Sequence, residues 1–281
     1  MKMLVTGMTG QLGYDVCRVL NARGVEHRGI GSAQLDITSE TDVNAYLSSY
    51  RPDAVIHCAA YTAVDKAEDE PEQCFDVNEG GTGNLARSCR EIGAKLLFLS
   101  SDYVFPGAGE QSYEITDSTG PLNVYGRSKL AAEQALRAIL PESFIVRTSW
   151  VFGKNSNNFV KTMLRLAERH DTLNVVSDQI GSPTYTADLA PLLCDMIATD
   201  KYGTYHATNE GLCSWADFAR EIFRQDGKNV TVLSVTTEEY GAKAPRPANS
   251  RLSKKSLDDA GFQRLPEWKD ALGRYLSELK I

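Results

Sequence analysis

The sequence predicts an α/β protein with a doubly wound parallel sheet and a smaller C-terminal α/β lobe. Short apolar runs alternate with amphipathic helical segments throughout the first half of the chain. One run, residues 53–60, is apolar almost without interruption, which is typical of a strand buried on both faces of a parallel sheet. The first run, residues 2–6, leads directly into a glycine-rich turn and a helix. These observations favour an open sheet whose ligand binds beside that turn.

Size, composition and charge limit the classes of protein to which this chain can belong. Its 281 residues suffice for one large domain with a smaller lobe, and 42% hydrophobic and 24% charged content is ordinary for a soluble globular protein. The net charge is −7 and no run of lysine or arginine forms a patch, which argues against nucleic acid and anionic membranes as partners. No apolar run approaches the ~20 residues of a membrane span, and the N-terminal apolar residues break into glycines too early for a signal peptide.

The six cysteines and four histidines do not predict a metal site. No C-x-x-C pair occurs, and the histidines are scattered along the chain. Cysteines placed singly in strand-like and helical runs are typical of a protein from a reducing compartment. We therefore expect a cytoplasmic protein that uses no metal.

The first strand, residues 2–6, is followed by Gly7-Met8-Thr9-Gly10-Gln11-Leu12-Gly13 and by a helix over residues 12–21. In this context the spacing G-x-x-G-x-x-G indicates a Rossmann-like dinucleotide site, because glycines permit a tight turn and let backbone N–H groups approach a pyrophosphate. A plain strand-to-helix turn is the alternative, since the spacing differs from the commoner G-x-G-x-x-G. The candidate cofactor-binding residues of this turn are Gly7, Gly10, Gln11 and Leu12.

The second strand, residues 27–30, bears on the choice of cofactor. The acidic residue that usually binds the ribose hydroxyls is absent from its end, where Arg28 and Ser32 stand instead. Because an arginine here can accept a 2′-phosphate, we expect NADPH as the cofactor, with NADH as the alternative if Arg28 is a surface residue. Asp36, which is followed by Ile37, is a candidate for binding the adenine amino group, and we include both residues in the cofactor site.

Two further strand ends supply candidate ligand residues, because ligands of open α/β sheets bind at the carboxyl edge of the strands. The strand of residues 53–60 ends in small side chains that let a ligand approach the backbone, and a helix over residues 77–92 follows. The strand that begins at Lys95 ends in two hydroxyls and a carboxylate. Candidates at these strand ends and at the start of the helix are Ala59, Ala60, Tyr61, Asn78, Ser101, Asp102 and Tyr103.

Tyr125 and Lys129 carry a chemical signal at the start of a helix that runs to about Leu136. Residues four apart share a helix face, so the two side chains project together. A phenol ionises near pH ~10, and a fixed ammonium lowers that pKa, so the pair provides a tyrosine that exchanges a proton near neutral pH. Taken alone, Y-x-x-x-K also occurs by chance on exposed helical turns.

The second half of the chain predicts a lobe that packs over the ligand edge. A buried strand, residues 144–148, leads to Trp150, which we expect either at the ligand edge or as a core residue wedged between two lobes. Beyond residue 203, short strand-like segments mix with helices and with a proline-rich stretch. We assign residues 1–152 and about 171–202 to an NAD(P)-binding domain, and about 153–170 and 203–281 to a substrate domain.

Beside the glycine turn, distinctive motifs lie at residues 58–68, 100–105, 125–129, 147–153, 178–184 and 246–252. Together they resemble the extended short-chain dehydrogenases/reductases and, more narrowly, the dTDP-4-dehydrorhamnose reductase family. The resemblance implies reduction of the 4-keto group of dTDP-4-dehydro-6-deoxy-L-mannose with NAD(P)H, giving dTDP-L-rhamnose. It also implies that Tyr125 is the proton donor, that Lys129 is its partner, and that Ser101 hydrogen-bonds the keto oxygen.

The same resemblance implies the contacts with the dTDP-sugar. Some relatives form dimers around a Mg²⁺ held by acidic side chains, one of which aligns with Asp15 and another with Ala187, beside Asp188. Because this acidic set is incomplete, we expect no metal, and either a monomer or a homodimer. The implied substrate-binding residues are Thr62, Val64, Ser101, Asp102, Tyr103, Tyr125 and Trp150.

Two other functions are compatible with this fold. A nucleotide-sugar epimerase or dehydratase belongs to the same superfamily, but a dehydratase needs a carboxylate pair where this chain has Asp102 followed by Tyr103. A non-catalytic NADP-binding subunit, similar to the regulatory subunit of methionine adenosyltransferase, would keep the cofactor fold without turnover. The intact Ser101, Tyr125 and Lys129 argue against that subunit.

Overall fold

The computed structural model describes residues 1–280, in which strands and helices alternate. The strands are, in chain order, β1 (Met3–Thr6), β2 (His27–Ile30), β3 (Ala54–His57), β4 (Lys95–Ser101), β5 (Phe144–Thr148), β6 (Val151–Phe152), β7 (Thr172–Val176), β8 (Ile180–Gly181), β9 (Thr184–Tyr185), β10 (Gly203–His206), β11 (Cys213–Ser214), β12 (Thr231–Val235) and β13 (Asn249–Ser250).

Most of the helices are short, and they occur in both halves of the chain. None of those within residues 1–280 combines the length and apolar character that crossing a bilayer requires. The α-helices are α1 (Gln11–Ala22), α2 (Glu40–Tyr50), α3 (Val64–Ala67), α4 (Pro71–Phe75), α5 (Gly81–Ile92), α6 (Val124–Ile139), α7 (Phe159–Leu166), α8 (Thr186–Ile197), α9 (Trp215–Asp226), α10 (Thr237–Tyr240), α11 (Lys255–Ala260) and α12 (Trp268–Leu279).

Six strands form one fully parallel sheet in the order β10-β5-β4-β3-β1-β2. The chain runs from β1 outward to β2 and then places β3 on the other side of β1, so the strand order reverses between β1 and β3. Helices cover both faces of the sheet. This arrangement confirms the predicted α/β fold with a doubly wound, Rossmann-like sheet.

Alternate side chains of the central strands pack into two different apolar cores. In β1, Val5 joins the core that includes α1 and α8, whereas Leu4 joins the core that includes α2, α5 and α6. Every residue of β3 is buried, in agreement with its apolar sequence. Burial on both faces fixes the strand ends, and it thereby fixes the turns that surround the site.

A third apolar core lies outside the main sheet, among helices α7, α9 and α12. Short strands pair around it in the order β11-β8-β13 and as β12-β7. This pairing differs from the expected domain boundaries at two places. Strand β10 joins the main sheet, because its Tyr205 completes the core of α1 and α8, and residues 172–181 pair with strands of the second lobe. The division into two domains otherwise stays a prediction.

The helix expected over residues 77–92 is longer at its start and interrupted. Pro71 is the first residue of α4, and a π-turn at Asp76–Gly80 joins α4 to α5. Proline fits the first turn of a helix because its missing N–H would have no helical partner there. The π-turn contains Asn78, and such turns frequently occur beside functional sites.

Candidate active site

A cavity of about 670 Å³ opens at the carboxyl ends of the central strands, where the strand order reverses. It is lined by the turn after β1, by the ends of β3, β4 and β5, and by the start of α6. Most of the candidate residues predicted from the sequence meet here. Those that line the cavity are Gly7, Gly10, Gln11, Leu12, Asp36, Ile37, Ala59, Ala60, Thr62, Val64, Ser101, Asp102, Tyr103, Tyr125, Lys129 and Trp150.

The glycine turn leaves no room for a side chain at two of its positions, Gly7 and Gly13. Gly7 has a φ of 72°, and a Cβ there would lie 2.6 Å from the backbone nitrogen of Ala59. A Cβ on Gly13 would lie 2.3 Å from the carbonyl oxygen of Gly7. Gly10, the N-cap of α1, has no side chain to bind the first N–H groups of the helix, so these remain for an anionic ligand. The turn therefore fits the pyrophosphate of a dinucleotide.

The far end of the cavity, beside β2, presents Ser32 and Asp36. The Asp36 carboxylate accepts hydrogen bonds from the Thr38 N–H at 2.9 Å and the Thr38 hydroxyl at 2.7 Å, and these lower the pKa of Asp36. Arg28 is not among the residues that line the cavity. Its guanidinium lies 4.5 Å from the centre of the ring of Tyr50, the last residue of α2. Binding of a 2′-phosphate by Arg28 stays a prediction that this side-chain position does not support.

Tyr61 and Asn78, two other candidate cofactor residues, also lie outside the cavity lining. The Asn78 side chain accepts from the Tyr61 N–H at 2.9 Å and donates to the Tyr61 carbonyl at 3.1 Å and to the Ser128 hydroxyl at 2.8 Å. The Tyr61 hydroxyl donates to Glu70 at 2.9 Å. In this arrangement Asn78 ties the loop after β3 to helix α6, and neither side chain reaches the cavity.

Ser101, Tyr125 and Lys129 lie at one wall of the cavity, where β4 ends and α6 begins. Asn123 caps α6 by accepting from the Gly126 N–H at 2.8 Å, which fixes the first turn that carries Tyr125. The Ser101 hydroxyl donates to Asp102 at 2.9 Å. The Ser101 hydroxyl, the Tyr125 phenol and the Lys129 amine thus all belong to residues that line the same cavity.

The pKa of Tyr125 at this wall differs from the value that the sequence predicts. Burial raises the pKa of Tyr125 above its ordinary value, and the Ser101 hydroxyl offsets part of this effect. Burial lowers the pKa of Lys129 to about 7, while the carboxylate of Glu133 acts in the opposite direction. The Lys129 amine donates to the carbonyl oxygen of Leu99 at 2.5 Å. The expected lowering of the pKa of Tyr125 by Lys129 is therefore not seen in this arrangement, because burial dominates.

Asp102 directly follows Ser101 in the sequence, and it is 3% exposed. Burial raises its pKa to about 6, and hydrogen bonds from Ser250 and Ser101 limit the rise. Its Oδ2 atom has no hydrogen-bond partner within residues 1–280. An unpaired, buried acceptor that lines a cavity is suited to a ligand hydroxyl.

Trp150 lines the cavity and also packs against the third apolar core. Its φ is 50°, which is a strained backbone conformation for a bulky residue. Its ring stacks on Trp215 with centroids 3.8 Å apart and planes 15° apart. Both predicted roles, ligand contact and core residue, thus have a structural basis, and ligand contact stays a prediction.

Several cavity residues were not predicted from the sequence, notably Trp215, Ser156 and Asn157. They come from the second lobe, and no motif spacing relates them to the glycine turn. The neighbouring Asn155 donates to the carbonyl oxygen of Thr9 at 2.8 Å, which holds this loop over the turn. The asparagine-rich sequence of this loop was the one signal from which its place beside the cavity could have been predicted.

No group of three or more histidine, cysteine, aspartate or glutamate side chains is arranged to hold a metal ion within residues 1–280. Asp15, which aligns with an acidic ligand of some relatives, is instead bound by the Thr186 hydroxyl at 2.5 Å and by Arg18 at 3.0 Å. A cationic side chain therefore already accompanies this carboxylate.

Comparisons with known proteins agree with this site. The family model for the RmlD substrate binding domain matches residues 1–281. The spore coat polysaccharide biosynthesis protein SpsK of Bacillus subtilis is 44% identical, over 99% of this chain and 97% of that protein. The dTDP-4-dehydrorhamnose reductase of Streptomyces griseus is 43% identical, over 96% and 91%. The crystal structure of dTDP-4-dehydrorhamnose reductase from Bacillus anthracis in complex with NADP has a TM-score of 0.96 and 43% identity, and covers 99% of this chain and 100% of that chain. The family model matches the whole chain, and these relatives are more than 40% identical to it. The chain therefore belongs to the dTDP-4-dehydrorhamnose reductase family.

Proposed function

We propose that this protein reduces the 4-keto group of dTDP-4-dehydro-6-deoxy-L-mannose with NAD(P)H, giving dTDP-L-rhamnose. The observation that carries the proposal is the meeting of Ser101, Tyr125 and Lys129 at one wall of a cavity whose other wall is a glycine turn. The substrate follows from the names of the relatives, which are dTDP-4-dehydrorhamnose reductases at about 40% identity.

The cofactor is NADPH, with NADH as the alternative, and it supplies the hydride that reduces the keto carbon. The complex of the Bacillus anthracis reductase with NADP supports this choice. In this chain Gly7 and Gly13 let the turn close tightly against backbone, and the first N–H groups of α1, which no side chain caps, are available to a pyrophosphate. The small side chains of Ala59 and Ala60, which line the cavity after the end of β3, leave space for the cofactor beside the backbone.

The residues at the cavity wall of Ser101, Tyr125 and Lys129 stabilise the negative charge that develops on the keto oxygen. The hydroxyls of Ser101 and Tyr125 donate hydrogen bonds to that oxygen, and Tyr125 then transfers its proton, so that the ketone becomes an alcohol. Lys129 in its ammonium form stabilises the remaining phenolate. We assign Thr62, Val64 and the other predicted substrate residues, Asp102, Tyr103 and Trp150, to contacts with the dTDP-sugar.

Two assignments about context accompany this function. We propose a cytoplasmic location, which is supported by six cysteines that are all free. We propose a monomer or a homodimer that acts on a small-molecule substrate, without nucleic acid or membrane as a partner.

The test is the loss of NADPH absorbance when purified protein is mixed with the dTDP-4-keto sugar, with the product identified as dTDP-L-rhamnose. A non-catalytic binding subunit, the second candidate, would bind NADPH and leave it unoxidised. An epimerase or dehydratase would convert the sugar without consuming NADPH. The single carboxylate after Ser101 argues against the dehydratase.

A further inference from the structure

A buried ionic network lies one helical turn beyond Lys129. Glu133 shares a face of α6 with Tyr125 and Lys129, since the three are spaced four residues apart, and its side chain is 0% exposed. Its carboxylate accepts from the Ser100 hydroxyl at 2.6 Å and from Arg147 at 2.8 and 2.7 Å. It also accepts from Arg137 at 3.0 Å. A buried carboxylate with this many donors remains ionised.

The network attaches the reactive face of α6 to consecutive residues of β4. Lys129 donates to the Leu99 carbonyl, Glu133 accepts from the Ser100 hydroxyl, and the next residue is Ser101. Ser100 pairs in register with Arg147 on β5, which supplies the cation for Glu133. The chain therefore holds the amine, the carboxylate and the reactive hydroxyl on one rigid unit.

Lys129 needs a counter-charge because it is 2% exposed and burial lowers its pKa to about 7. The charged and titratable groups that act on it come from three elements. Glu133 on its own helix favours the ammonium form most, and the thiols of Cys58 and Cys74 act in the same direction. His57 on β3 is neutral at physiological pH, since burial, with Lys129 nearby, lowers its pKa to about 3. Among the groups of residues 1–280 that act on the pKa of Lys129, Glu133 is thus the one carboxylate.

Glu133 itself keeps its charge because of its partners. Burial raises the pKa of Glu133, but the hydrogen bond and charge of Arg147 outweigh burial, with help from Ser100, so the pKa of Glu133 lies below its ordinary value. An isolated buried carboxylate would take up a proton instead.

We propose that Glu133 is a positioning residue of the reduction, which keeps Lys129 in the ammonium form beside Tyr125 and fixes α6 against the strand that carries Ser101. Arg147 and Ser100 maintain the charge and orientation of Glu133. This inference rests on the proposed function for its catalytic meaning, while the charge of Lys129 can be measured separately.

The test is the pH profile of kcat/KM in Glu133→Gln, which keeps the size of the side chain and removes its charge. Activity requires Lys129 as ammonium, so the alkaline limb of the wild-type profile reports its loss of a proton within the coupled Tyr125–Lys129 pair. In Glu133→Gln we expect this limb to move to lower pH by about one unit or more. Glu133→Asp should return it towards wild type, and Arg137→Ala, which removes the exposed partner of Glu133, should leave it in place.

A structural role alone gives a different result. If Glu133 serves packing alone, Glu133→Gln lowers the rate at every pH and leaves the limb where it is, which overturns the proposal. The position of the limb does not depend on the folded fraction, so partial unfolding does not imitate the shift. If Glu133→Gln does not fold, Glu133→Gln/Arg147→Gln removes both buried charges, and a smaller downward shift is expected, because the loss of the Arg147 cation acts in the opposite direction. An unshifted limb in that double variant overturns the proposal.

A titration that needs no turnover separates this inference from the proposed function. Protein labelled with ¹³C at the lysine ε-carbon gives a Lys129 resonance, assigned by its absence in Lys129→Arg. We expect this resonance to titrate at lower pH in Glu133→Gln than in the wild type. If the wild type fails to reduce the sugar while this shift occurs, the proposed function fails and the charge assignment stands. If turnover occurs and the resonance does not shift, the charge assignment fails.

Discussion

The substitution Gly7→Ala tests the glycine turn sharply, because Gly24 provides a matched control. Both residues have positive φ, 72° and 65°, where an L-residue is strained by about 1–2 kcal/mol. A Cβ on Gly24 meets no atom within 4 Å, whereas a Cβ on Gly7 lies 2.6 Å from the backbone nitrogen of Ala59. The two variants therefore share the backbone strain and differ in the collision with β3.

From these contacts we expect different losses of stability. Gly24→Ala should lose the strain energy alone, about 1–2 kcal/mol, with no change in NADPH affinity. In Gly7→Ala the turn must move away from the end of β3, which adds the about 1–3 kcal/mol typical of overpacking, for a total of about 2–5 kcal/mol. The same movement displaces the N–H groups of α1, so the Kd for NADPH should rise at least about tenfold, or about 1.4 kcal/mol.

The assay combines urea unfolding with a fluorescence titration of NADPH on the folded protein. The comparison between Gly7→Ala and Gly24→Ala decides the matter, because either variant alone mixes strain with its other effects. If both lose equal stability and both bind NADPH like the wild type, the turn is not the cofactor cradle and the reasoning is refuted.

Three further predictions concern the substrate wall, the cofactor and acid stability. Trp150→Ala should raise KM for the dTDP-sugar about tenfold while leaving NADPH affinity unchanged, as expected for losing one aromatic contact; a wild-type KM in the folded enzyme, together with a large fall in Tm, would make Trp150 a core residue. Arg28→Ala should change the kcat/KM ratio of NADPH to NADH by less than about twofold, since its guanidinium lies on Tyr50; a tenfold loss of NADPH preference would show that Arg28 leaves that ring to bind the 2′-phosphate. Burial lowers the pKa of His206 from 6.5 to about 3, so its contribution to stability is complete above pH 6.5 and is lost as the pH falls towards 3. Between pH 7.5 and 5.5, His206→Gln should therefore lose about 1.4 kcal/mol less stability to urea than the wild type, and equal losses would contradict a buried neutral histidine.

Local patterns in the sequence were sufficient to predict much of the fold and of the candidate site. The apolar run at β3 predicted burial on both faces, and the spacing of Tyr125 and Lys129 predicted neighbours on one helix face, because each pattern concerns residues close in the chain. The strand ends that line the cavity followed from the same logic, since parallel strands present their carboxyl ends at one edge.

The remaining features depend on contacts that are distant in sequence. Strand β10 joins the main sheet through pairing with β5, and Trp215 reaches the cavity by stacking on Trp150, and no local periodicity signals either contact. The pKa of Tyr125 was predicted in the wrong direction for this arrangement because burial, which the sequence does not measure, exceeds the influence of the neighbouring charge. Arg28 was assigned from its place at a strand end, whereas its position on Tyr50 depends on packing with α2.

The central claim is that Tyr125 donates the proton in reduction of the dTDP-4-keto sugar. The most direct measurement is the rate of NADPH oxidation by wild type and Tyr125→Phe with that sugar, with NADPH affinity measured on the same samples. We expect the wild type to form dTDP-L-rhamnose, and Tyr125→Phe to bind NADPH normally but to turn over about 10²- to 10⁴-fold more slowly, the usual effect of removing a positioned acid. A Tyr125→Phe enzyme with nearly wild-type kcat would contradict the account.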